Sequence, residues 1–415
     1  MQATTHRHDV VVIGGGPSGA SCAYWLAQAG HDVVLIEKKQ FPREKTCGDG
    51  LTPRSVRQLQ DMGLGDDLSH HHRYHGLRSV AFGRTIELAW PHLAGFPDYG
   101  YVVTRADLDH MVAERAQKAG AVLWQNSEAT EPITAGNRVL GAFVKRKDLG
   151  RIDEIRAHYV VVADGSNSRF GRALGATRDR TFPQGMAIRG YFRSPRSNEP
   201  WIESHLDIRD ADDNVLPGYG WIFPLGDGRV NVGIGLLSTF NQWKSVNTTK
   251  LMEAFVDYAP ASWELSPATS CGPPTGGRLP MGMSVKPCLG SNHLLIGDAG
   301  GSINPFNGEG IAYAYETGRM AALAVADALV SGSPAALRGY QDQLDATYSL
   351  YFKVARAFVK VIGQPELMRA LVATGMYSST LMGWVLRVMA NMLRPDEIGP
   401  AEAAYKALAA LAARA

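Results

Sequence analysis

The sequence predicts an α/β fold: a parallel-sheet domain, interleaved with a smaller β-sheet domain and followed by a helical C-terminal region. Residues 9–38 read as an apolar strand, an Ala-rich helix and a second apolar strand, which is the βαβ unit of a parallel sheet. Further apolar strands lie near residues 158–165 and 291–298. Strand-like segments with many turn signals fill residues 182–290, and the remainder after residue 335 is helical in pattern.

The order of these segments places the predicted boundaries, because the chain leaves the parallel sheet and returns to it. We expect the parallel-sheet domain to be discontinuous and the β-rich domain to bind the substrate. The parallel-sheet domain takes residues 1–75, 100–180 and 291–335, the β-rich domain takes residues 76–99 and 181–290, and the helical region takes residues 336–415.

Composition excludes several classes of function. A net charge of +2 without a long basic run gives no nucleic-acid footprint. The four cysteines form no CxxC pair, and the histidine spacing in residues 70–75 suits no tetrahedral site, so we predict a solvated loop there and no metal. No signal peptide precedes the first strand, so we expect a cytoplasmic protein.

The first strand runs into a glycine fingerprint, Gly14-x-Gly16-x-x-Gly19, and the second strand ends at Glu37. The glycines allow a tight turn, close approach of the backbone to a pyrophosphate, and helix-on-strand packing. An acid at the end of the second strand accepts hydrogen bonds from a ribose. The sequence therefore predicts a dinucleotide site that comprises Gly14, Gly16, Pro17, Ser18, Gly19, Glu37 and Lys38.

Residues 294–319 predict the other half of this site. An apolar strand ends in Gly297-Asp298, a glycine-rich loop follows, and a helix opens near Gly308. A carboxylate suits a sugar-alcohol hydroxyl, and the free amides of a helix start suit an anion. A flavin uses both, because its ribityl chain would meet the carboxylate and the helix dipole would favour the negative charge of the reduced ring. We assign this part of the site to Gly297, Asp298, Gly308, Gly310 and Ile311.

Three motifs thus follow in a fixed order: the glycine fingerprint with its acid, ADGSNSR from Ala163, and GDAGGSINPFNGEG from Gly297. Over residues 9–330 this order resembles the flavoprotein monooxygenase and reductase superfamily typified by p-hydroxybenzoate hydroxylase. The resemblance implies a Rossmann-like FAD-binding domain of that type, with FAD as the cofactor. It also implies cofactor contacts from Asp164, Gly165 and Arg105, to which we add Ala129. The alternative for Arg105 is a solvated arginine at a helix start.

A finer signature lies in residues 217–235, which contain Tyr219-x-Trp221-x-Phe223-Pro224 and then Gly233-x-Gly235. Alternate residues of a strand share a face, so the three aromatic rings should line up. Together with KTCGDG, residues 45–50, this pattern is similar to the signature of the geranylgeranyl reductase family, whose members saturate isoprenoid double bonds. The resemblance implies substrate contacts from Tyr219, Trp221, Phe223 and Gly233, and cofactor contacts from Thr46, Cys47 and Gly48. The alternative for the aromatic residues is ordinary core packing.

The resemblance implies an FAD-dependent reductase of an isoprenoid C=C bond, and we expect the substrate to be one isoprene unit of a menaquinone side chain. Geranylgeranyl diphosphate, geranylgeranyl-chlorophyllide and archaeal-type ether lipids are other family substrates. Cys47, Tyr219 or a bound water would donate the proton. No second glycine fingerprint is present, so the electron donor either visits transiently, as NAD(P)H would, or is another reductant. An FAD-dependent monooxygenase of a hydrophobic substrate and a non-catalytic prenyl carrier are the rival functions.

The C-terminal third bears on a membrane partner. Lys353, Arg356 and Lys360 share one face of a predicted helix. Residues 370–386 carry no charge and are bounded by arginines, yet are too short for a bilayer span. Such a region suits peripheral contact with the anionic inner face of the cell membrane. Buried helical packing is the alternative.

Overall fold

A computed structural model of the protein describes residues 4–210, 212–393 and 399–414. The other residues, which belong to the predicted regions 1–75, 181–290 and 336–415, lie outside the described part of the chain.

Strands and helices alternate at first and separate later in the chain. The strands are β1 (Thr5–Ile13), β2 (Val33–Ile36), β3 (Gly50–Leu51), β4 (His72–Tyr74), β5 (Gly76–Ala81), β6 (Arg84–Ala89), β7 (Gly100–Val102), β8 (Val122–Trp124), β9 (Ser127–Ala135), β10 (Arg138–Arg146), β11 (Arg151–Val162), β12 (Thr177–Arg178), β13 (Gln184–Arg193), β14 (Trp201–His205), β15 (Gly218–Pro224), β16 (Arg229–Leu237), β17 (Thr275–Pro280), β18 (Val285–Lys286) and β19 (His293–Leu295). The helices are α1 (Pro17–Gln28), α2 (Pro53–Asp61), α3 (Gly65–Leu68), α4 (Arg105–Lys118), α5 (Arg169–Ala173), α6 (Thr248–Tyr258), α7 (Ile311–Ser331), α8 (Arg338–Ile362), α9 (Pro365–Gly375), α10 (Ser379–Met389) and α11 (Pro400–Arg414).

The first sheet is the parallel one, with the order β8-β2-β1-β11 and with β19 also paired to β11. The strands β10 and β9 extend it in antiparallel fashion. Because side chains alternate along a strand, Val10 and Val12 face the core shared with α1, α4 and α7, whereas Val11 and Ile13 face the opposite core. The predicted α/β fold with a parallel sheet is confirmed, and its strand ends place the nucleotide motifs together.

The second sheet has the order β17-β13-β16-β15-β14-β5-β6. It combines β5 and β6, which precede the first return of the chain to the parallel sheet at β8, with β13–β17, which lie between β11 and β19. Helix α6 covers one face, where Phe255 packs among Ile222, Val232 and Ile234. On the other face the rings of Tyr219, Trp221 and Phe223 line up, with centroids 5.9 and 6.3 Å apart along the row. The predicted alignment of these aromatic residues is confirmed.

The C-terminal region is helical, as predicted. Residues 370–386 form no single helix, because α9 and α10 are separated by a turn at residues 376–378. None of the helices in the described part of the chain combines the length and apolar character that a membrane crossing requires.

Two local expectations were wrong. The predicted basic face of α8 is split, because the Arg356 side chain turns inward, donates to the Gly282 carbonyl at 2.9 Å and lies over the Phe182 ring. The predicted histidine-rich loop forms strand β4 from His72, since the buried ring of Tyr74 anchors that segment. The described residues contain no group of side chains that could hold a metal ion.

Candidate active site

A large cavity lies between the ends of the parallel strands, the open face of the second sheet and the C-terminal helices. Its volume is about 820 Å³, which falls within the range of ~300–1,000 Å³ that is usual for ligand sites. The cavity is lined by the glycine fingerprint, by the loop that precedes β3 and by the start of α7. It also extends to the aromatic row on β15.

The glycine fingerprint forms one end of the cavity. A Cβ added at Gly14 would lie 2.3 Å from the carbonyl oxygen of Ala163, and one added at Gly19 would lie 1.9 Å from the Gly14 carbonyl oxygen. Gly16 and Ser18 line the cavity, and Gly16, which is the N-cap of α1, has no side chain that could cap the first turn. The free amides and the dipole of that helix start therefore fit an anionic pyrophosphate.

A chain of ion pairs supports this end of the cavity. The Oε2 atom of Glu37 accepts hydrogen bonds from the Gly15 amide and from Arg43, both at 3.1 Å. Arg43 also donates to the fully buried Asp109 at 2.7 Å, and Asp109 binds Arg105 through two bonds of 2.8 Å. Arg105 lines the cavity and is buried, so it is not the solvated arginine of the alternative interpretation.

Two aspartates place carboxyl groups in the middle of the cavity wall. Asp164 accepts from the Phe170 amide at 3.0 Å through Oδ2, while its buried Oδ1 has no partner among the described residues. Burial raises the pKa of the Asp164 carboxyl. Burial likewise raises the pKa of the Asp298 carboxyl. The charges of Lys45 and Arg105 act in the opposite direction and lower that pKa. Carboxyl groups that line the cavity, one of them with an unfilled buried acceptor, fit the hydroxyl groups of a ribityl or ribose chain.

The start of α7 supplies a second uncapped helix end. Gly308, Gly310 and Ile311 line the cavity, and Gly310, which is the N-cap of this helix, has no side chain that could cap it. Behind it, Glu309 accepts a hydrogen bond from the Thr52 hydroxyl, whereas its Oε2 is buried without a partner among the described residues. Burial raises the pKa of the Glu309 carboxyl to about 7. A group that exchanges its proton near neutral pH thus lies beside the helix end.

The loop that contains Cys47 lies directly on the aromatic row of β15. A Cβ added at Gly48 would meet Phe223 at 3.3 Å and Trp221 at 3.4 Å, so glycine permits this contact. The Cys47 carbonyl accepts from the side-chain amide of Asn231 at 2.8 Å, and Asn231 in turn accepts from the Trp221 indole at 2.9 Å. The loop and the aromatic row are therefore held as one unit.

Two protonated groups face the cavity here. Burial raises the pKa of the Cys47 thiol, the guanidinium of Arg105 lowers it and the carboxylate of Asp49 raises it again. Burial raises the pKa of Tyr219 to about 12, and its hydroxyl donates to the Asn307 carbonyl at 2.7 Å. Both groups consequently keep their protons at neutral pH.

Most of the residues assigned from sequence line this cavity. They are Gly14, Gly16, Pro17, Ser18, Glu37, Lys38, Thr46, Cys47, Gly48, Arg105, Ala129, Asp164, Gly165, Tyr219, Trp221, Phe223, Asp298, Gly308, Gly310 and Ile311. Gly19, Gly233 and Gly297 lie one layer behind, where a Cβ at Gly233 would be 2.2 Å from the Trp221 ring and one at Gly297 would be 2.5 Å from the Ser18 hydroxyl. Those three allow close packing of the wall rather than contact with a ligand.

Sequence reasoning missed two parts of the site. Arg43, which joins Glu37 to Asp109, follows the second strand in FPREK and carries no pattern of its own. The cavity also reaches Ile362, Met368 and Met389 on the three helices α8, α9 and α10. For these helices the sequence signal was the apolar spacing in α8, which predicts a buried helix face. It does not predict the element against which that face packs.

The fold and the cavity define an FAD-dependent oxidoreductase, since the paired helix ends and buried carboxyl groups suit both halves of that cofactor. A family model described as an FAD binding domain matches residues 7–203. The menaquinone reductase of Mycolicibacterium smegmatis is 39% identical over 394 residues, which cover 94% of this chain and 93% of that protein. The digeranylgeranylglycerophospholipid reductase 2 of Methanosphaera stadtmanae is 32% identical over 78% of this chain and 79% of that protein.

Among solved structures, a geranylgeranyl bacteriochlorophyll reductase-like protein from Thermoplasma acidophilum aligns with a TM-score of 0.79 and 24% identity, covering 97% of this chain and 100% of that chain. This likeness concerns the fold alone. On the sequence relationships, the chain belongs to the geranylgeranyl reductase family, which includes the menaquinone reductases.

Proposed function

We propose that this protein reduces one C=C bond in the isoprenoid side chain of a menaquinone. The observation that carries the proposal is the continuity of the cavity from the FAD cradle, past the aromatic row, to Ile362, Met368 and Met389. A flat quinone ring suits the aromatic surface and a prenyl chain suits the apolar end. Two relatives that align with 94% of this chain are named menaquinone reductases, which supports the same substrate.

The residues of this chain would act by position, exclusion of water and proton supply. Reduced FAD, when bound, supplies a hydride to one alkene carbon. The aromatic row of Tyr219, Trp221 and Phe223 holds the alkene in a dry part of the cavity. The protonated thiol of Cys47 gives a proton to the less substituted carbon, because positive charge is better tolerated at the more substituted one. Tyr219, fixed by its bond to Asn307, is the second candidate donor.

An anaerobic assay tests this function. The FAD-loaded protein is reduced with dithionite, mixed with menaquinone, and the product is weighed by mass spectrometry after the quinone ring is reoxidised in air. We expect a lasting gain of two hydrogens in the prenyl tail, and none when the protein is left oxidised. Unchanged menaquinone would contradict the substrate and direct the assay to geranylgeranyl diphosphate. A product with one added oxygen would instead support the monooxygenase alternative.

We further propose that α9, α10 and the end of α8 rest on an anionic bilayer, from which the substrate enters. Five large apolar side chains are exposed there: Val361, Leu367, Leu371, Tyr377 and Leu381. Val361 and Leu367 are next in sequence to Ile362 and Met368, which line the far end of the cavity. Lys360 and Arg369 are exposed among them. Such a surface gains apolar burial and charge attraction at a lipid interface.

Vesicle binding checks this surface. The double variant Leu371→Ser, Tyr377→Ser should lose most of its co-sedimentation with vesicles of phosphatidylglycerol, because it removes the exposed apolar area that the bilayer would cover. Val330→Ser is the matched control, since Val330 is 83% exposed at the end of α7, in another helix. Equal binding by the double variant and the wild type would contradict this docking surface.

A further inference from the structure

A buried carboxyl group behind the Cys47 loop takes no part in the cofactor cradle. Asp49 is fully buried, and its Oδ1 has no hydrogen-bond partner among the described residues. Its Oδ2 accepts from the Tyr191 hydroxyl at 2.5 Å and from the Asn231 side-chain amide at 2.8 Å. A half-satisfied carboxylate in the interior is costly to folding, so its place in the fold calls for a functional reason.

Asp49 lies between the protein surface and the cavity. On the outer side, the partly exposed Tyr191 has the guanidinium of Arg229 5.4 Å from its ring centroid. On the inner side, the backbone amide of Asp49 donates to the sulfur of Cys47 at 3.3 Å, and the charge of the Asp49 carboxylate is near enough to raise the pKa of that thiol. Asn231 binds both the Asp49 carboxylate and the Cys47 carbonyl. Cys47 itself lines the cavity. The three groups Tyr191, Asp49 and Cys47 therefore form a row from the outside to the reaction space.

We propose that Tyr191 and Asp49 carry protons from solvent to Cys47. This rests on the proposed reduction, in which each turnover adds one hydride and one proton to the alkene. The S–H bond of Cys47 breaks as the new C–H bond forms, and the thiolate then takes the carboxyl proton of Asp49. The Asp49 carboxylate regains a proton from the Tyr191 hydroxyl as that hydroxyl takes one from water, so that no tyrosinate forms. No electrons move along this row, and the net change is one proton transferred from solvent to carbon.

The acidities of Asp49 and Cys47 support the inner step of this transfer, whereas burial raises the pKa of Tyr191, so the outer step has to be concerted with proton uptake from water. Burial raises the pKa of the Asp49 carboxyl to about 6. The Cys47 thiol has a higher pKa than this, because burial and the charge of Asp49 raise it. Transfer from the carboxyl to the thiolate is therefore downhill, and a group with a pKa near neutral exchanges readily with solvent. The titratable or charged groups that face Asp49 are Tyr191, Arg189, Arg105 and Cys47.

Two substitutions separate proton supply from support of the loop. Asp49→Asn keeps the shape and one acceptor oxygen but cannot hold an exchangeable acid proton. We expect it to lower kcat by about 100-fold with little change in KM. Tyr191→Phe breaks the row at its outer end. With reduced, FAD-loaded protein it should complete the first turnover at the wild-type rate and be slow only in later turnovers.

A measurement on the thiol gives a readout apart from activity. Alkylation of Cys47 by iodoacetamide, followed as a function of pH by peptide mass spectrometry, should shift to lower pH in Asp49→Asn because a negative charge beside the thiol is removed. The matched controls are Asp207→Asn and Tyr258→Phe. These residues form another Asp–Tyr pair, in which the buried Asp207, just after β14, accepts at 3.2 Å from the hydroxyl of Tyr258, which is 45% exposed at the end of α6, and both lie outside the cavity lining. They should change neither turnover nor alkylation.

The proposal and the function on which it rests fail in different ways. Either of two results would overturn the proton path. One is turnover with a wild-type rate and pH profile in Asp49→Asn, and the other is a Tyr191→Phe protein that is equally slow in its first and later turnovers. An unchanged alkylation profile in Asp49→Asn would overturn the action of Asp49 on Cys47. Failure of the wild type to reduce menaquinone would contradict the proposed function. The alkylation profile would still show whether Asp49 acts on the Cys47 thiol.

Discussion

Asp298→Ala is expected to purify with little or no FAD. Asp298 is the acid at the end of β19, in the wall between the two uncapped helix ends, and it is the group assigned to the ribityl hydroxyls. A hydrogen bond to a charged group contributes about 1.5–3 kcal/mol, which is a tenfold to hundredfold loss in affinity. The ratio of flavin absorbance to protein absorbance, followed by titration of the apoprotein with FAD, measures the effect.

In contrast to the affinity for FAD, the free energy of unfolding of the apoprotein should not fall in Asp298→Ala. Burial raises the pKa of the Asp298 carboxyl, so ionisation is unfavourable in the folded state and removal of the group should not lower the Tm of the apoprotein. Asp207→Ala is the control, because it removes a buried aspartate outside the cavity lining and should retain FAD. Normal FAD content in Asp298→Ala would show that the ribityl chain is held elsewhere.

The parts of the site that depend on local sequence were predictable. The fingerprint around Gly14 and the GDA segment at Asp298 each encode a strand, a turn and a helix start within a short stretch, and these local units set the position of each ligand group. The alternation of Tyr219, Trp221 and Phe223 is likewise a property of one strand. Their common face followed from the period of two.

The parts that depend on packing between distant segments were not predictable. Arg43 meets Asp109 across a long sequence separation, and nothing in either neighbourhood predicts the pair. Asp49 stands in the KTCGDG segment, but only the structure shows that β13 and β16 bring Tyr191 and Asn231 to its carboxylate. The inward turn of Arg356 depends on a carbonyl in another loop. Helical periodicity could not foresee that contact.

Trp221→Ala is expected to retain FAD while turnover falls by about 100-fold, since displacement of a reacting group by 1 Å can cost that much. The Trp221 ring lines the cavity, covers Gly233 and is fixed by its bond to Asn231. Its loss would leave the alkene without a fixed surface and would loosen the Cys47 loop, which Asn231 also holds. The glycine fingerprint, Glu37 and Asp298 belong to the first sheet and its helices, so FAD should remain bound. Flavin content and menaquinone turnover on the same preparation measure the two effects.

The effect of Trp221→Ala on stability must be separated from its effect on the position of the alkene, because truncation of a buried tryptophan costs about 3–5 kcal/mol wherever it lies. Trp263→Ala is the matched control: Trp263 is fully buried in the same domain, binds Glu203 through its indole and is outside the cavity lining. Equal loss of Tm in the two variants with loss of turnover only in Trp221→Ala would assign the effect to the cavity wall. Trp221→Phe should keep part of the activity, because it retains an aromatic face but not the bond to Asn231. Full turnover in Trp221→Ala would mean that the aromatic row is core packing and that the alkene is held elsewhere in the cavity.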